Sequence, residues 1–388
     1  MIIEMLLVLI VLVPGLLLLV ELTLSILTKQ SNSSGFTKDS EKSMRLAIVM
    51  PAHNEEAVVA KAVTSIHDQL TEGDLLVVVA DNCSDTTADI VRDLELAHVV
   101  VLERRDTINR GKGFALDHGH SYLKQQNIEF DTLGVIDSDC VFAEQDAVDH
   151  IKQYAKAADL FQVGYLMQSN ANTSLLSSFA WFLKTASRSI GMMKLFGACH
   201  IQGSGFFISS KIATNVDFAS GSIVEDLELG LNMAEKKVFC KYLPSVTLLS
   251  EMPSDVEVLQ TQKSRWEVGH LKVLIEEALP RAWRAIKQGN VRYLLLVCDL
   301  SVPPLITYLA GLVVLMCVLA LFTSIGALMV FACLLTFLPL LYLHWKRFCS
   351  LFEVDFAFSQ IVAYVLVKFK VITNYSNKKS RAWNKTER

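Results

Sequence analysis

Between Asp299 and Lys346 the chain runs through 46 residues, 300–345, without one Asp, Glu, Lys or Arg, and most of them are apolar. Helices of water-soluble proteins rarely lack charges on every face. A helix crossing a bilayer needs about 20 predominantly apolar residues. The run therefore has the length of two such helices and a turn, which Thr323-Ser324-Ile325-Gly326 would make. A second apolar run, Met5–Leu27, carries one charge, Glu21, and a proline at 14. It has no basic stretch before it and no small-residue cleavage site, so it reads as a retained anchor and not a cleaved signal.

The flanking charges give both runs an orientation. Only Glu4 precedes the first, whereas Lys29, Lys38, Lys42 and Arg45 follow it. Basic residues stay on the cytoplasmic side, which places the N-terminus outside and residue 29 onward in the cytoplasm. The 300–345 hairpin would go out and return, and Lys346-Arg347 mark the same side. Val354–Val371 mixes apolar stretches with few charges and reads as an interfacial helix or a third C-terminal span, with the interfacial reading preferred. Residues 368–388 hold seven Lys/Arg against one Glu, a tail suited to anionic lipid heads.

Composition averages over these unlike parts. The chain of 388 residues is 52% hydrophobic and 20% charged, which excludes a disordered or collagen-like chain. Its formal charge of −4 argues against a nucleic-acid partner. None of its eight cysteines forms a C-x-x-C pair, so free thiols are expected and not a disulfide framework or a zinc site.

After a polar linker at 31–43 the pattern changes to strand–helix alternation. Leu46–Met50, Asp74–Ala80, His98–Leu102 and Thr132–Ile136 are short apolar runs, and Ala57–Leu70 and Phe114–Gln125 are helical stretches among them. This predicts a parallel α/β sheet, whose ligands bind at the carboxyl ends of the strands. The residues there are polar: Pro51-Ala52-His53-Asn54-Glu55-Glu56, Asp81-Asn82-Cys83-Ser84-Asp85, Asn109-Arg110-Gly111-Lys112-Gly113 and Asp137-Ser138-Asp139. Any one of these could be turn chemistry, but four together put carboxylates and cations on one rim. Carboxylates two apart at a strand end can hold a hard divalent cation that bridges phosphate oxygens. Arg110 and Lys112, flanked by glycines, suit a diphosphate. No G-x-x-x-x-G-K-[ST] loop is present, which disfavours ATP hydrolysis.

Downstream, Gly203-Ser204-Gly205 precedes a strand-like run, and Glu225-Asp226 opens a helix, where the acids could cap it or Asp226 could act as a general base. Gln262, Arg265 and Trp266 fall at i, i+3 and i+4 of a helix and share one face. Leu175–Phe196 and Ala278–Lys287 mix aromatics with Lys or Arg, as membrane-docking segments do.

In this order P-A-H-N-E-E, D-N-C-S-D, N-R-G-K-G, D-S-D, G-S-G, V-E-D and Q-K-S-R-W resemble the membrane-bound family 2 glycosyltransferases, which include cellulose, chitin and hyaluronan synthase-like enzymes. The resemblance covers roughly residues 44–300, and V-E-D in place of the commoner T-E-D leaves the acid pair intact. It implies an α/β GT-A nucleotide-sugar-binding domain with a mostly parallel sheet, flanked by N- and C-terminal transmembrane helices. The implied layout is a transmembrane helix at 1–28, a linker at 29–43, the cytoplasmic domain at 44–290 and a transmembrane hairpin at 291–347. Residues 348–388 complete it as an interfacial helix or third span with the basic tail. By the same resemblance Asn54, Glu55 and Asp81 would hold the nucleoside, and Lys112 the nucleotide or its diphosphate. Asp137 and Asp139 would bind the sugar nucleotide and a Mg²⁺ or Mn²⁺ ion, with Asp139 the direct ligand. Asp226 would deprotonate the acceptor. Gln262, Arg265 and Trp266 would close the donor and acceptor site, with Ser204, Gly205 and Glu225 on the acceptor side.

The implied reaction is an inverting, metal-dependent transfer from a nucleotide sugar, expected to be UDP-linked. The acceptor is expected to be a polyprenyl-diphosphate-linked saccharide in exopolysaccharide or capsule assembly. A processive β-polysaccharide synthase and a ceramide-type acceptor are the alternatives. A non-catalytic sugar-nucleotide binder is disfavoured because Asp139, Asp226 and Arg265 are all present. The expected location is the inner or plasma membrane, with membrane lipids as partners.

Overall fold

The computed structural model describes residues 2–28, 44–169, 175–252, 256–302, 305–321 and 324–354. The segment expected to lie on or cross the membrane after 354, and the basic tail, fall outside the described residues. Eight strands form one sheet: β1 (Leu46–Ala52), β2 (Leu75–Asp81), β3 (Val99–Arg104), β4 (Thr132–Val135), β5 (Val141–Phe142), β6 (Leu160–Gln168), β7 (Phe206–Ser209) and β8 (Lys241–Glu251). Their order is β3-β2-β1-β4-β7-β6-β8-β5.

The first half is the predicted parallel sheet. β1 lies between β2 and β4, with Val49 opposite both Val77 and Val135, and β3 pairs with the outer edge of β2. β1 and β2 are buried on both faces, which is why they read as unbroken Val/Ile/Leu runs and not as alternating ones. The second half departs from the mostly parallel expectation. β7 runs antiparallel to β4 and β6, β8 is parallel to β6, and β5 is antiparallel to β8. The sheet is mixed because β7 enters from the chain's second half, after β6 and the helices that follow it.

Helices cover both faces of the sheet. Those of the first half are α2 (Val59–His67), α3 (Thr87–Asp93), α4 (Lys112–Gln125) and α5 (Ala147–Ala155). Between β6 and β7 come α6 (Leu175–Phe182), a π-helix (Leu183–Ser187) and α7 (Arg188–Leu195). The short α8 (Ser210–Ala213) and α9 (Glu225–Glu235) precede β8, and α10 (Val256–Lys287) and α11 (Val291–Asp299) follow it. One apolar cluster includes Val49, Val79, Leu116 and Phe206, and the other includes Ile48, Val78, Ile66 and Phe207. Tyr293, Leu296 and Val297 of α11 belong to the first cluster, so this helix is part of the α/β body.

The uncharged run forms α12 (Leu305–Ala320) and α13 (Ser324–Phe352). The turn falls slightly earlier than predicted, since Ser324, Ile325 and Gly326 already belong to α13. Ile325–Phe352 is long and apolar enough to cross a membrane, with a mean hydropathy of 2.3, and Val13–Leu27 and Gly311–Ala320 are shorter apolar helices. Leu328, Phe331, Leu335 and Leu338 of α13 are exposed to the surroundings of the protein. The N-terminal helix α1 (Ile2–Leu27) lies against α7 and α13. The contact with α7 is close: a Cβ on Gly191 would stand 2.1 Å from the Glu21 carbonyl oxygen. His344 of α13 bridges Ser187 Oγ (3.0 Å) and the Leu22 carbonyl (3.1 Å). Glu21, the lone charge of its run, is buried and meets Arg188 Nε at 2.8 Å.

Candidate active site

The carboxyl ends of β1, β2 and β4, the start of α4, the start of α9 and one face of α10 surround a cavity of about 590 Å³. β2 ends in Asp81, whose Oδ1 is paired with Arg104 Nη1 at 2.6 Å while Oδ2 is buried with no partner among the described residues. His53 Nδ1 lies 2.6 Å from the Asp81 carbonyl and ties the β1 loop to the β2 loop. Gly111, at φ +132°, turns the chain into α4, and Lys112 is that helix's first residue.

Lys112 organises the centre of the site. Its Nζ is 2.5 Å from Asp137 Oδ1 and donates to the Gly203 carbonyl at 2.9 Å. Gly203 has φ +80°, and a Cβ there would stand 3.4 Å from Asp226 Oδ2 and 3.9 Å from Lys112 Nζ. One glycine turn thus brings the N-terminus of α4 and the N-terminus of α9 together across the cavity. Burial alone would lower the Lys112 pKa, but the carboxylates of Asp137, Glu225 and Asp226 outweigh it and the ammonium is held charged. Burial raises the Asp137 pKa, and the neighbouring Asp139 and Asp226 add to this against the pull of Lys112. Glu225 is raised to about 8 by burial and then by Asp226.

The D-S-D turn holds its two carboxylates differently. Asp137 takes Lys112, whereas Asp139 Oδ2 accepts from Ser250 Oγ at 2.7 Å. Among the described residues no three His, Cys, Asp or Glu side chains make a ready cluster for a metal. Two carboxylates at a crowded acidic wall still fit a hard divalent cation that completes its shell with phosphate oxygens and water.

Gln262, Arg265 and Trp266 line the opposite wall from α10, on one face as their spacing predicted. Gln262 Oε1 is buried with no partner among the described residues. Trp266 lies against Trp181 of α6 with centroids 4.8 Å apart. Burial lowers the Arg265 pKa, with Glu225 acting against it.

Glu55, Asp81, Lys112, Asp137, Asp139, Glu225, Asp226, Gln262, Arg265 and Trp266 therefore meet at one cavity. Three expected residues stand behind its wall. Asn54, at φ +57°, uses its side-chain carbonyl to accept from the Ser84 amide at 2.7 Å, so it staples two loops. Ser204 is fully buried, and its Oγ accepts from the Asp137 amide at 3.0 Å, which sets the D-S-D turn. Gly205 lies against the sheet, where a Cβ would meet Leu248 and Val163 at 2.7 Å.

The cavity also takes in residues that sequence reasoning missed: Trp181, Lys184, Arg188, His200, His270 and Asp299. Arg188 Nη2 is 2.5 Å from Asp299 Oδ1, and His200 Nε2 is 2.9 Å from Asp299 Oδ2. Burial opposes the ionised Asp299, and Arg188 and His200 override it to lower its pKa. Leu175–Phe196, read as a docking segment, supplies this wall instead. The signal was Glu21, because a lone carboxylate in an apolar helix needs a buried cation.

Residues 44–269 match the family described as Glycosyltransferase like family 2. The chain belongs to this family. The chain is 22% identical over 271 residues to a probable glycosyltransferase, YdaM, of Bacillus subtilis, covering 64% of this chain and 61% of the relative. It is 24% identical over 263 residues to the poly-beta-1,6-N-acetyl-D-glucosamine synthase of Staphylococcus epidermidis, covering 65% of this chain and 61% of the relative. The chain thus spans about three-fifths of the length of these relatives. Among solved structures it is similar to the mannosyltransferase PcManGT from Pyrobaculum calidifontis in complex with GDP-Man and Mn²⁺. That likeness has a TM-score of 0.51 at 15% identity and covers 95% of this chain and 97% of the other. It shows the GT-A fold.

Proposed function

We propose that this glycosyltransferase moves one sugar from a UDP-sugar to a polyprenyl-diphosphate-linked saccharide at the cytoplasmic face of a membrane, inverting the anomeric centre to give a β-linkage. The observation that carries this is the meeting of Asp81, Lys112, Asp137, Asp139, Asp226, Arg265 and Trp266 at one cavity. The unpartnered Asp81 Oδ2 offers an acceptor to a nucleobase N–H. Lys112 and Arg265 offset the charge that builds on the leaving diphosphate. Asp137 and Asp139 would hold Mg²⁺ or Mn²⁺, which when bound neutralises diphosphate charge. Asp226, at the acceptor side of Lys112, takes the proton from the attacking hydroxyl, and Trp266 offers a flat ring for a sugar. With one base and no second carboxylate assigned as a nucleophile, the route is a single displacement from the face opposite the nucleotide.

The exposed apolar side of α13 and the apolar α1 and α12 support membrane anchoring. The domain boundaries at 28, 43 and 347 belong to the same proposal, with the α/β body extended beyond the expected 290 to include α11. A second reading, a processive β-polysaccharide synthase, is favoured by the likeness to a poly-beta-1,6-N-acetyl-D-glucosamine synthase. Incubating the protein in lipid nanodiscs with a panel of UDP- and GDP-sugars and lipid-linked acceptors separates the two. A single addition supports the first, and a polymer ladder the second. Asp226→Asn is expected to lower turnover by about 10²–10⁴-fold with donor affinity retained, and near wild-type turnover would refute the base assignment. EDTA is expected to stop transfer and Mn²⁺ or Mg²⁺ to restore it.

A further inference from the structure

The end of the cavity nearest the apolar helices carries a cation that the reaction above does not use. Lys184 lies in the π-helix between α6 and α7, a kind of irregularity that clusters at functional sites. The side chain lines the cavity and is open to its solvent. Among the described residues it has no carboxylate partner, whereas Arg188, one turn on, is consumed by Glu21 and Asp299. Its Nζ lies 5.1 Å from the centroid of Trp181, the ring that packs at a tilt against Trp266. The ammonium therefore sits one ring away from the wall assigned to the acceptor. Protein surrounds it closely enough that enclosure lowers its pKa, and Arg188 adds to this, while Asp226 and Glu267 pull the other way. An unpaired cation in a confined, partly dehydrated position is stabilised by an anion that arrives with a ligand.

Resting on the acceptor reading above, we infer that Lys184 is the subsite for a phosphoryl group of the acceptor, held beside the Trp181–Trp266 pair. The chemistry recognised is a phosphate or diphosphate, and the prenyl chain attached to it would leave toward α1, α12 and α13. The subsite selects anionic acceptors and sets the reach between the phosphate and the hydroxyl presented to Asp226.

The test is binding by titration calorimetry of the full chain in nanodiscs, its donor end first filled with UDP or GDP, whichever the wild type takes. The probes are farnesyl diphosphate, inorganic pyrophosphate and farnesol. Farnesyl diphosphate is expected to bind the wild type, to bind Lys184→Met about tenfold or more weakly, and to recover with Lys184→Arg. Farnesol is expected to bind both alike. Pyrophosphate binding as tightly as farnesyl diphosphate, with the same loss in Lys184→Met, supports a phosphate site that takes free phosphates. Weaker pyrophosphate binding supports one for lipid-linked phosphate. Equal farnesyl diphosphate affinity in wild type and Lys184→Met overturns the subsite, as does a wild type that binds neither phosphate probe. Absence of UDP and GDP binding to the wild type overturns the donor reading instead, so the two failures are told apart.

Discussion

Replacing Lys112 by Met removes the cation on which the carboxylates of Asp137, Glu225 and Asp226 converge. The Lys112–Asp137 contact is 2.5 Å, with 19% and 26% of the two side chains exposed. Breaking a fully buried pair costs about 3–5 kcal/mol. With a fifth to a quarter of each side chain in water, screening trims this to about 2 kcal/mol. For an α/β body of this size the loss corresponds to a fall in Tm of about 4–8 °C. The pH dependence carries the sharper prediction. Asp137 and Glu225 are acids with folded pKa values raised above the unfolded ones. Their stabilisation is complete below the unfolded values and is lost as pH rises through the folded ones, about 8 for Glu225. Without Lys112 the loss is larger, because nothing offsets the ionised pair. The Tm deficit of Lys112→Met is therefore expected to be largest near about pH 8.5 and to shrink toward about pH 5, where Glu225 is protonated. Lys112→Arg, which keeps the charge, is expected to recover much of it. Thermal unfolding across this range decides the matter. A deficit that stays flat with pH, or grows toward acid, would refute the view that Lys112 works by offsetting carboxylates.

Three further outcomes follow from the same geometry. Glu225→Gln is expected to flatten the decline in Tm between about pH 5 and pH 8, since the decline reflects ionisation of a carboxyl held at about 8. A pH profile parallel to the wild type would count against this. Asp139→Asn is expected to raise the Mn²⁺ concentration needed for half-maximal transfer by about 10–100-fold, read from metal titrations of activity. Arg188→Met leaves Glu21 and Asp299 buried without their cation and is expected to cost at least about 3 kcal/mol. Arg188→Lys recovers only part of this, since a compact ammonium does not reproduce the separated Nε and Nη2 donors that hold Glu21 and Asp299, and adding Glu21→Gln to Arg188→Met is expected to lessen the loss in Tm.

The half of the fold that a sequence makes legible is the half built from local pattern. β1, β2 and β4 are continuous apolar runs because both their faces are buried, and the polar clusters that end the parallel strands mark the ligand rim. Gln262, Arg265 and Trp266 share a face because helical spacing decides it. What was not legible depends on pairing across the chain. β7 enters antiparallel between β4 and β6, a choice set by tertiary packing, and β5 has only two residues. The resemblance puts Asn54 at the nucleoside and Ser204 on the acceptor side. Their actual partners, the Asp137 and Ser84 amides, are 67 and 30 residues away in sequence. The π-helix that presents Lys184 has no signature in spacing, because it is one extra residue in a turn of otherwise ordinary helix.

The helix over residues 2–27 has a history that follows from its partners. Glu21 is made 167 residues before Arg188, and Leu22 is made 322 residues before His344. At synthesis rates of about 5–20 residues per second, the carboxylate waits roughly 10–30 s for its guanidinium, and the helix waits longer for the imidazole that closes over it. During that interval the first helix is an unfinished surface, and its single charge has to stay hydrated or protonated. The last of the described helices to emerge is thus the clasp for the first. Ribosomes stalled before residue 188 should hold an N-terminal helix still open to water at Glu21, and those stalled beyond residue 344 a closed one.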